Sequence, residues 1–213
     1  MKNITLLFAI ACFSTAIAQP NQQLTHDIFK ELIEINTTNS SGNTTRAAEA
    51  MAARLKAAGF TDKDIFIGGP DPRKGNLVAT LRGSGKRKPL LLLAHLDVVE
   101  ALKEDWTTDP FKFEEIDGFY YARGSSDDKA MAAIFVANLI RVKQERFIPD
   151  RDIIVALTAD EEGGDFNGVD WLLKNHRGLI DAEYALNEGG RGQEQDGKKI
   201  LNQVQLSEKV FQS

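Results

Sequence analysis

Cysteine is nearly absent, Cys12 being the only one in 213 residues. This excludes an intrachain disulfide framework and any metal site built on several thiolates. Histidine is almost as scarce, with His26, His95 and His176 alone. Zinc and proton chemistry both favour imidazole, so each of the three carries weight. Positive charge is not in excess. The chain has 26 Lys and Arg against 31 Asp and Glu, for a formal charge of −5. A broad basic footprint for nucleic acid is therefore not expected. Glycine, at 17 residues, is far too rare for collagen, and 42% hydrophobic content is too high for a disordered chain. The length suits one domain, or one domain and a piece of another.

The N-terminus reads as an address. Lys2 supplies a short positive region, Ile4 to Phe13 is largely apolar, and Ala16-Ile17-Ala18 has the form of a signal-peptidase site. Residues 1–18 are thus predicted to be a secretory signal, too short for a stable membrane span. Cleavage after Ala18 removes Cys12. Cys12 as a lipid attachment site is the competing reading, but Ala9-Ile10-Ala11 is a poor match for it. The expected product is periplasmic or secreted, with no remaining membrane segment.

Beyond that point, elements alternate. Leu24, Ile28, Leu32 and Ile35 recur at helical spacing, and the alanine-rich Arg46–Ala58 predicts a second helix capped by Thr44 or Thr45 and stopped at Gly59. Short strands are expected at 65–67 and 76–81. Leu90–Ala94 is a continuous apolar run suited to a strand buried on both faces. Asp117-Gly118 between two apolar segments signals a type I′ hairpin. A long helix follows over about 128–145, then a buried strand at 152–158, a helix at 169–175, a strand from Tyr184 and another over Ile200–Leu206. The pattern predicts an α/β fold, a mainly parallel central sheet with helices on both faces.

Chemistry in such sheets collects where strands end. His95 and Asp97 follow the 90–94 strand. Asp127 and Asp128 precede the long helix. Asp160-Glu161-Glu162 follows the 152–158 strand, and Glu188 follows 184–186. Each has a bland explanation when taken alone. Asp127 or Asp128 serves as a helix cap, the Glu pair as an acidic first turn, and His95 as a structural histidine. Together they supply one imidazole and several carboxylates at one sheet edge. Such a set repels itself without a cation and suits Zn²⁺, with Mn²⁺ or Co²⁺ as alternatives.

Six ordered runs resemble the M20 metallopeptidases, the group of glutamate carboxypeptidase, carboxypeptidase S, aminoacylase and the ArgE/DapE deacylases. They are His95-Leu96-Asp97-Val98-Val99, Trp106-Thr107-Thr108-Asp109-Pro110-Phe111, Asp117-Gly118, Arg123 to Lys129, Asp160 to Gly164, and Asn187-Glu188-Gly189-Gly190. The resemblance implies a zinc-peptidase-like catalytic domain with a two-zinc centre. His95 and Glu188 would bind one zinc, Asp127 would bridge, and Glu162 would bind the second. Glu161 would be the general base and Asp97 would orient His95. The implied reaction is hydrolysis of a peptide or N-acyl amide bond in a small substrate. An M28-type aminopeptidase also uses adjacent glutamates, but the Trp106–Phe111 and Arg123–Lys129 runs favour M20.

Departures from the family pattern shape the remaining expectations. Ala122 and Ala130 stand where many members have glycine. Members also continue into a lid or dimerisation domain, and a later histidine supplies the last zinc ligand. Here residues 19–206 read as the N-terminal portion of the catalytic domain, and 207–213 as the start of the lid. His26 and His176 match no ligand position. The expected product is thus a truncated hydrolase, with a non-catalytic metal-binding fragment or half of a split enzyme as the alternative.

Overall fold

The computed structural model describes residues 20–189, 191–195 and 199–203. The signal expected over 1–18, with Cys12, and the segment 207–213 lie outside them. Among the described residues, no helix is long and apolar enough to cross a membrane.

Helices α1 (Pro20–Glu34) and α2 (Thr44–Ala57) come first, then strands β1 (Ile65–Gly68), β2 (Asn76–Leu81) and β3 (Leu90–His95). The β4–β5 hairpin (Glu114–Ile116, Phe119–Tyr121) leads to α3 (Lys129–Gln144). Next come β6 (Ile153–Thr158), α4 (Gly168–Asn175), β7 (Tyr184–Leu186), β8 (Arg191–Gln195) and β9 (Lys199–Gln203). The central sheet runs β1-β2-β6-β3-β7.

This sheet is mixed. Strands β6, β3 and β7 are mutually parallel, whereas β1 pairs antiparallel with β2, and β2 antiparallel with β6. The reason lies in the connections. A short loop joins β1 to β2, which permits only a hairpin, while α3 and α4 provide the crossovers that parallel neighbours need. The parallel expectation therefore holds for the three strands that deliver candidate site residues.

Alternation along the strands sorts the core into two layers. Leu77, Ala79, Val155, Leu157 and Ala94 face α1, α2 and α3, where Ile28, Leu32, Met51, Leu55, Val136 and Ile140 are buried. Val78, Ile154, Ala156 and Leu91 face the other way, under Leu172 of α4 and Ile180. Helices thus cover both faces.

Local details refine the expectations. The cap of α2 is Asn43, whose side chain accepts the Arg46 N–H at 3.0 Å, not Thr44 or Thr45. The two threonines instead bond the loop before β2: the hydroxyls of Thr44 and Thr45 donate to the carbonyls of Arg73 and Pro72. Asp117 and Gly118 both have positive φ, as a type I′ turn requires. The strand expected over Ile200–Leu206 is β9, ending at Gln203. It pairs with β8 in a separate two-stranded sheet, not with the central one. Residues 204–206 of that expectation lie outside the described residues.

Candidate metal centre

His95 closes β3 with its side chain almost fully buried, at 2% exposure. Its ring is fixed from two sides. Nδ1 lies 3.0 Å from the main-chain carbonyl oxygen of Asp97 and 3.6 Å from the Asp97 carboxylate. The carbonyl therefore accepts the Nδ1–H, which leaves Nε2 to donate to Asp127 while the ring is protonated or to serve as a metal ligand once it is neutral. Asp97 thus holds the imidazole through its backbone carbonyl, with its carboxylate 3.6 Å from the same ring nitrogen. The Asp97 oxygens accept the N–H of Glu161 at 3.1 Å and of Glu162 at 3.0 Å.

Nε2 of His95 points at acid. Asp127 Oδ1 lies 2.8 Å away, Glu188 Oε1 3.8 Å and Glu161 Oε2 4.0 Å. His95, Asp127 and Glu188 each offer one donor atom within 4.8 Å of the other two. Among the described residues this is the one group of at least three such donors. Three elements far apart in the chain build it: the end of β3, the turn before α3 and the loop after β7. Glu162 falls outside the group. Its carboxyl is nonetheless pushed up by burial and by the charges of Asp127 and Glu161, which puts it on the same acidic edge.

Asp128 holds a position that sequence reasoning gave to a helix cap. It sits at the N-cap of α3, yet its side chain caps nothing and accepts the backbone N–H of His95 at 3.3 Å. The peptide joining Asp127 and Asp128 is cis. Lys129 is fully buried and donates to the Ile35 carbonyl at 2.8 Å, which ties α3 to the end of α1. Gly124 explains the glycine of its run. Its φ is +84°, and a Cβ there would lie 2.9 Å from Val98 and 3.0 Å from Lys129. Ala122 has no positive φ, so alanine serves in place of glycine.

The electrostatics are those of a site short of positive charge. Burial opposes a charged His95, yet Asp97, Asp128 and Asp127 overcome it and push its pKa up to about 10. Burial and the charges of Glu188 and Asp127 push Asp128 up to about 7, despite the opposing pull of His95. Glu188 is raised by burial and by Asp127 and Glu161. One imidazole and several oxygens that all gain from a nearby cation form a donor set that fits a divalent ion, Zn²⁺ in particular. A cavity of about 890 Å³ opens beside them, lined by Asp127, Asp128, Met131, Ile134, Asn187 and Glu188 among others.

The other two histidines lie in aromatic clusters. His26 packs against Phe113 and Tyr120, with ring centroids 5.1 and 5.9 Å apart. His176 packs against Phe66 and Trp171 at 4.6 and 4.8 Å. Neither joins the His95 group.

An α/β sheet with an imidazole–carboxylate cluster at its strand ends defines a candidate metal centre. Comparison with known proteins narrows this. Residues 91–203, more than half of the chain, match peptidase family M20/M25/M40, and the chain belongs to that family. It is 42% identical over 125 residues to succinyl-diaminopimelate desuccinylase of Stenotrophomonas maltophilia, a match covering 56% of this chain and 30% of the relative. It is 28% identical over 167 residues to aminoacylase-1 of Sus scrofa, covering 76% of this chain and 40% of that one. An M20 family metallo-carboxypeptidase from Sulfolobus solfataricus shares the fold, with a TM-score of 0.66 and 18% identity over 78% of this chain and 37% of the other. The chain thus spans less than half the length of these relatives.

Proposed function

We propose that this chain carries the metal-binding part of a hydrolase that cleaves a peptide or N-acyl amide bond in a small substrate. The observation that carries the reading is the convergence of His95, Asp127 and Glu188 on one point. A divalent ion held there supplies Lewis acidity and a water of lowered pKa.

The chain's own groups take complementary parts. The Asp97 carbonyl fixes the His95 tautomer, and the Asp97 carboxylate aims the Glu161–Glu162 main chain at the cluster. Glu161, half-exposed and 4.0 Å from His95 Nε2, is the general base, taking a proton from the attacking water and handing it to the leaving amine. Glu162 and Asp127 are the proposed ligands of a second ion. Relatives named for desuccinylase, aminoacylase and carboxypeptidase activity make N-succinyl amines, N-acyl amino acids and short peptides the first substrates to try. The leader expected over residues 1–18 would place the protein in the periplasm or outside the cell. Turnover would depend on parts of the relatives' length that this chain does not span.

A second reading is a metal-binding fragment without turnover, or half of a split enzyme. It is favoured by the one three-donor group among the described residues, which leaves Glu162 outside. Loading this chain, and a form extended to the relatives' length, with Zn²⁺ or Co²⁺ and assaying dipeptides and N-acyl amino acids tests the pair. Hydrolysis by the extended form, lost on Glu161→Gln, supports the first reading. Metal binding without turnover by the extended form supports the second.

A further inference from the structure

Behind the acidic edge lies a buried ion pair that none of the proposed roles uses. Lys74, at 3% exposure in the loop before β2, places Nζ 2.5 Å from Asp160 Oδ1 and 2.7 Å from Asn39 Oδ1. Asp160, at 2% exposure, directly precedes Glu161 and Glu162.

Asp160 organises the loop after β6 from inside. Its Oδ2 accepts the Phe166 N–H at 3.3 Å, and its carbonyl accepts the Asn167 side-chain amide at 3.2 Å. Asn167 in turn caps α4 by accepting the Asp170 N–H. Gly164 lies so close that a Cβ there would sit 2.3 Å from Asp160 Oδ2. Asp160 itself has φ of +55°, an uncommon conformation for a residue with a side chain. The loop is therefore wrapped around one carboxylate. That carboxylate is buried 86 residues along the chain from the cation that neutralises it.

Glu161 and Glu162 thus stand on a segment gripped twice. Asp97 takes their N–H groups on the site side, and Lys74 holds Asp160 on the far side. A buried carboxylate keeps one position only while its charge is matched. We infer that Lys74 is a positioning residue for the metal centre: through Asp160 it sets where the Glu161 and Glu162 carboxylates stand. This rests on the metal-centre reading above.

The test uses Lys74→Met in the whole chain, with Leu81→Ala at the other end of β2 as a control for general destabilisation. Lys74→Met/Asp160→Asn removes both charges and keeps the test open should the single variant fold poorly. Amide exchange is read without metal. Lys74→Met is expected to speed exchange at Glu161, Glu162 and Phe166 by at least about tenfold relative to Ala156 and Leu157, and Leu81→Ala to show no such loop-specific change. Co²⁺ affinity, followed by its visible absorption, is expected to fall about 10–100-fold in Lys74→Met and in the double variant. Unchanged loop exchange overturns the inference, as does wild-type Co²⁺ affinity and spectrum in the double variant. Failure of the wild-type chain to bind Co²⁺ defeats the metal-centre reading and this inference with it. Binding that survives both Lys74 variants defeats the inference alone.

Discussion

The carboxylate of Asp97 grips the main chain of Glu161, accepting its N–H at 3.1 Å, and reaches the next N–H, that of Glu162, at 3.0 Å. One side chain at the end of β3 therefore sets the start of the loop after β6. Its own carbonyl holds the His95 ring 3.0 Å away. Asp97→Ala should remove both carboxylate oxygens at once and leave the Glu161 and Glu162 N–H groups without these acceptors. The expected cost is about 1–3 kcal/mol in urea unfolding, together with an about 10–100-fold loss of Co²⁺ affinity. Equal affinity in the variant would show that the loop needs no such anchor.

Acidic pH should act on metal-free protein with a definite sign. Burial raises Asp97, but the His95 ring and the two backbone N–H groups outweigh it, so its pKa is lowered below 3.8. Its contribution is present above that value and is lost only as pH falls below it. Asp128 goes the other way, from 3.8 up to about 7, with Glu162 and Glu188 also raised. Between about pH 4 and 7 the native state thus binds more protons than the unfolded one. Stability should fall as pH rises through that window, by on the order of 3 kcal/mol for the Asp128 shift. Asp128→Asn should flatten the slope. Urea midpoints in EDTA at intervals from pH 4.5 to 7.5 measure it, and a rising midpoint would contradict the assignment.

Gly124 gives a prediction for the turn that carries Asp127. With φ of +84° and Val98 and Lys129 crowding the Cβ position, Gly124→Ala should destabilise by about 1–3 kcal/mol. Thermal unfolding reports it. A neutral result would mean that the turn can relax without loss.

The helix cap is a simpler case. Asn43→Ala removes the acceptor for the Arg46 N–H and should cost about 1 kcal/mol, read by urea unfolding. Thr45→Val should instead weaken the loop before β2, because Thr45 Oγ1 donates to the Pro72 carbonyl at 2.8 Å and accepts the Gly75 N–H at 2.7 Å.

These cases mark what the residues reveal before folding. Leu90–Ala94 and Ile153–Thr158 are legible because uninterrupted apolar runs have one good home, a strand covered on both faces. Asp117-Gly118 is legible because two positive φ angles demand a short list of residues. His95, Asp127 and Glu188 could be read from strand ends and ordered runs. The Asp128 bond to the His95 backbone and the Asp97 grip on Glu161 and Glu162 could not. Each depends on where three strands stand relative to one another, and local pattern carries no such distance. Lys74 was invisible for the same reason. Beside Arg73 it looks like a surface charge, and only the sheet brings Asp160 to it. Asn43 was missed because three successive residues, Asn43, Thr44 and Thr45, can all cap a helix, and tertiary bonds to the Arg73–Gly75 loop take the two threonines.

Metal content of the chain dialysed against Zn²⁺ bears most directly on the centre, measured beside His95→Ala, Asp127→Ala and Glu188→Gln. The expected result is at least one tightly held ion per wild-type chain, with affinity reduced by each substitution while the far-ultraviolet circular dichroism stays the same. A wild-type chain that retains no ion, or one that binds as tightly after His95 is removed, would contradict the account.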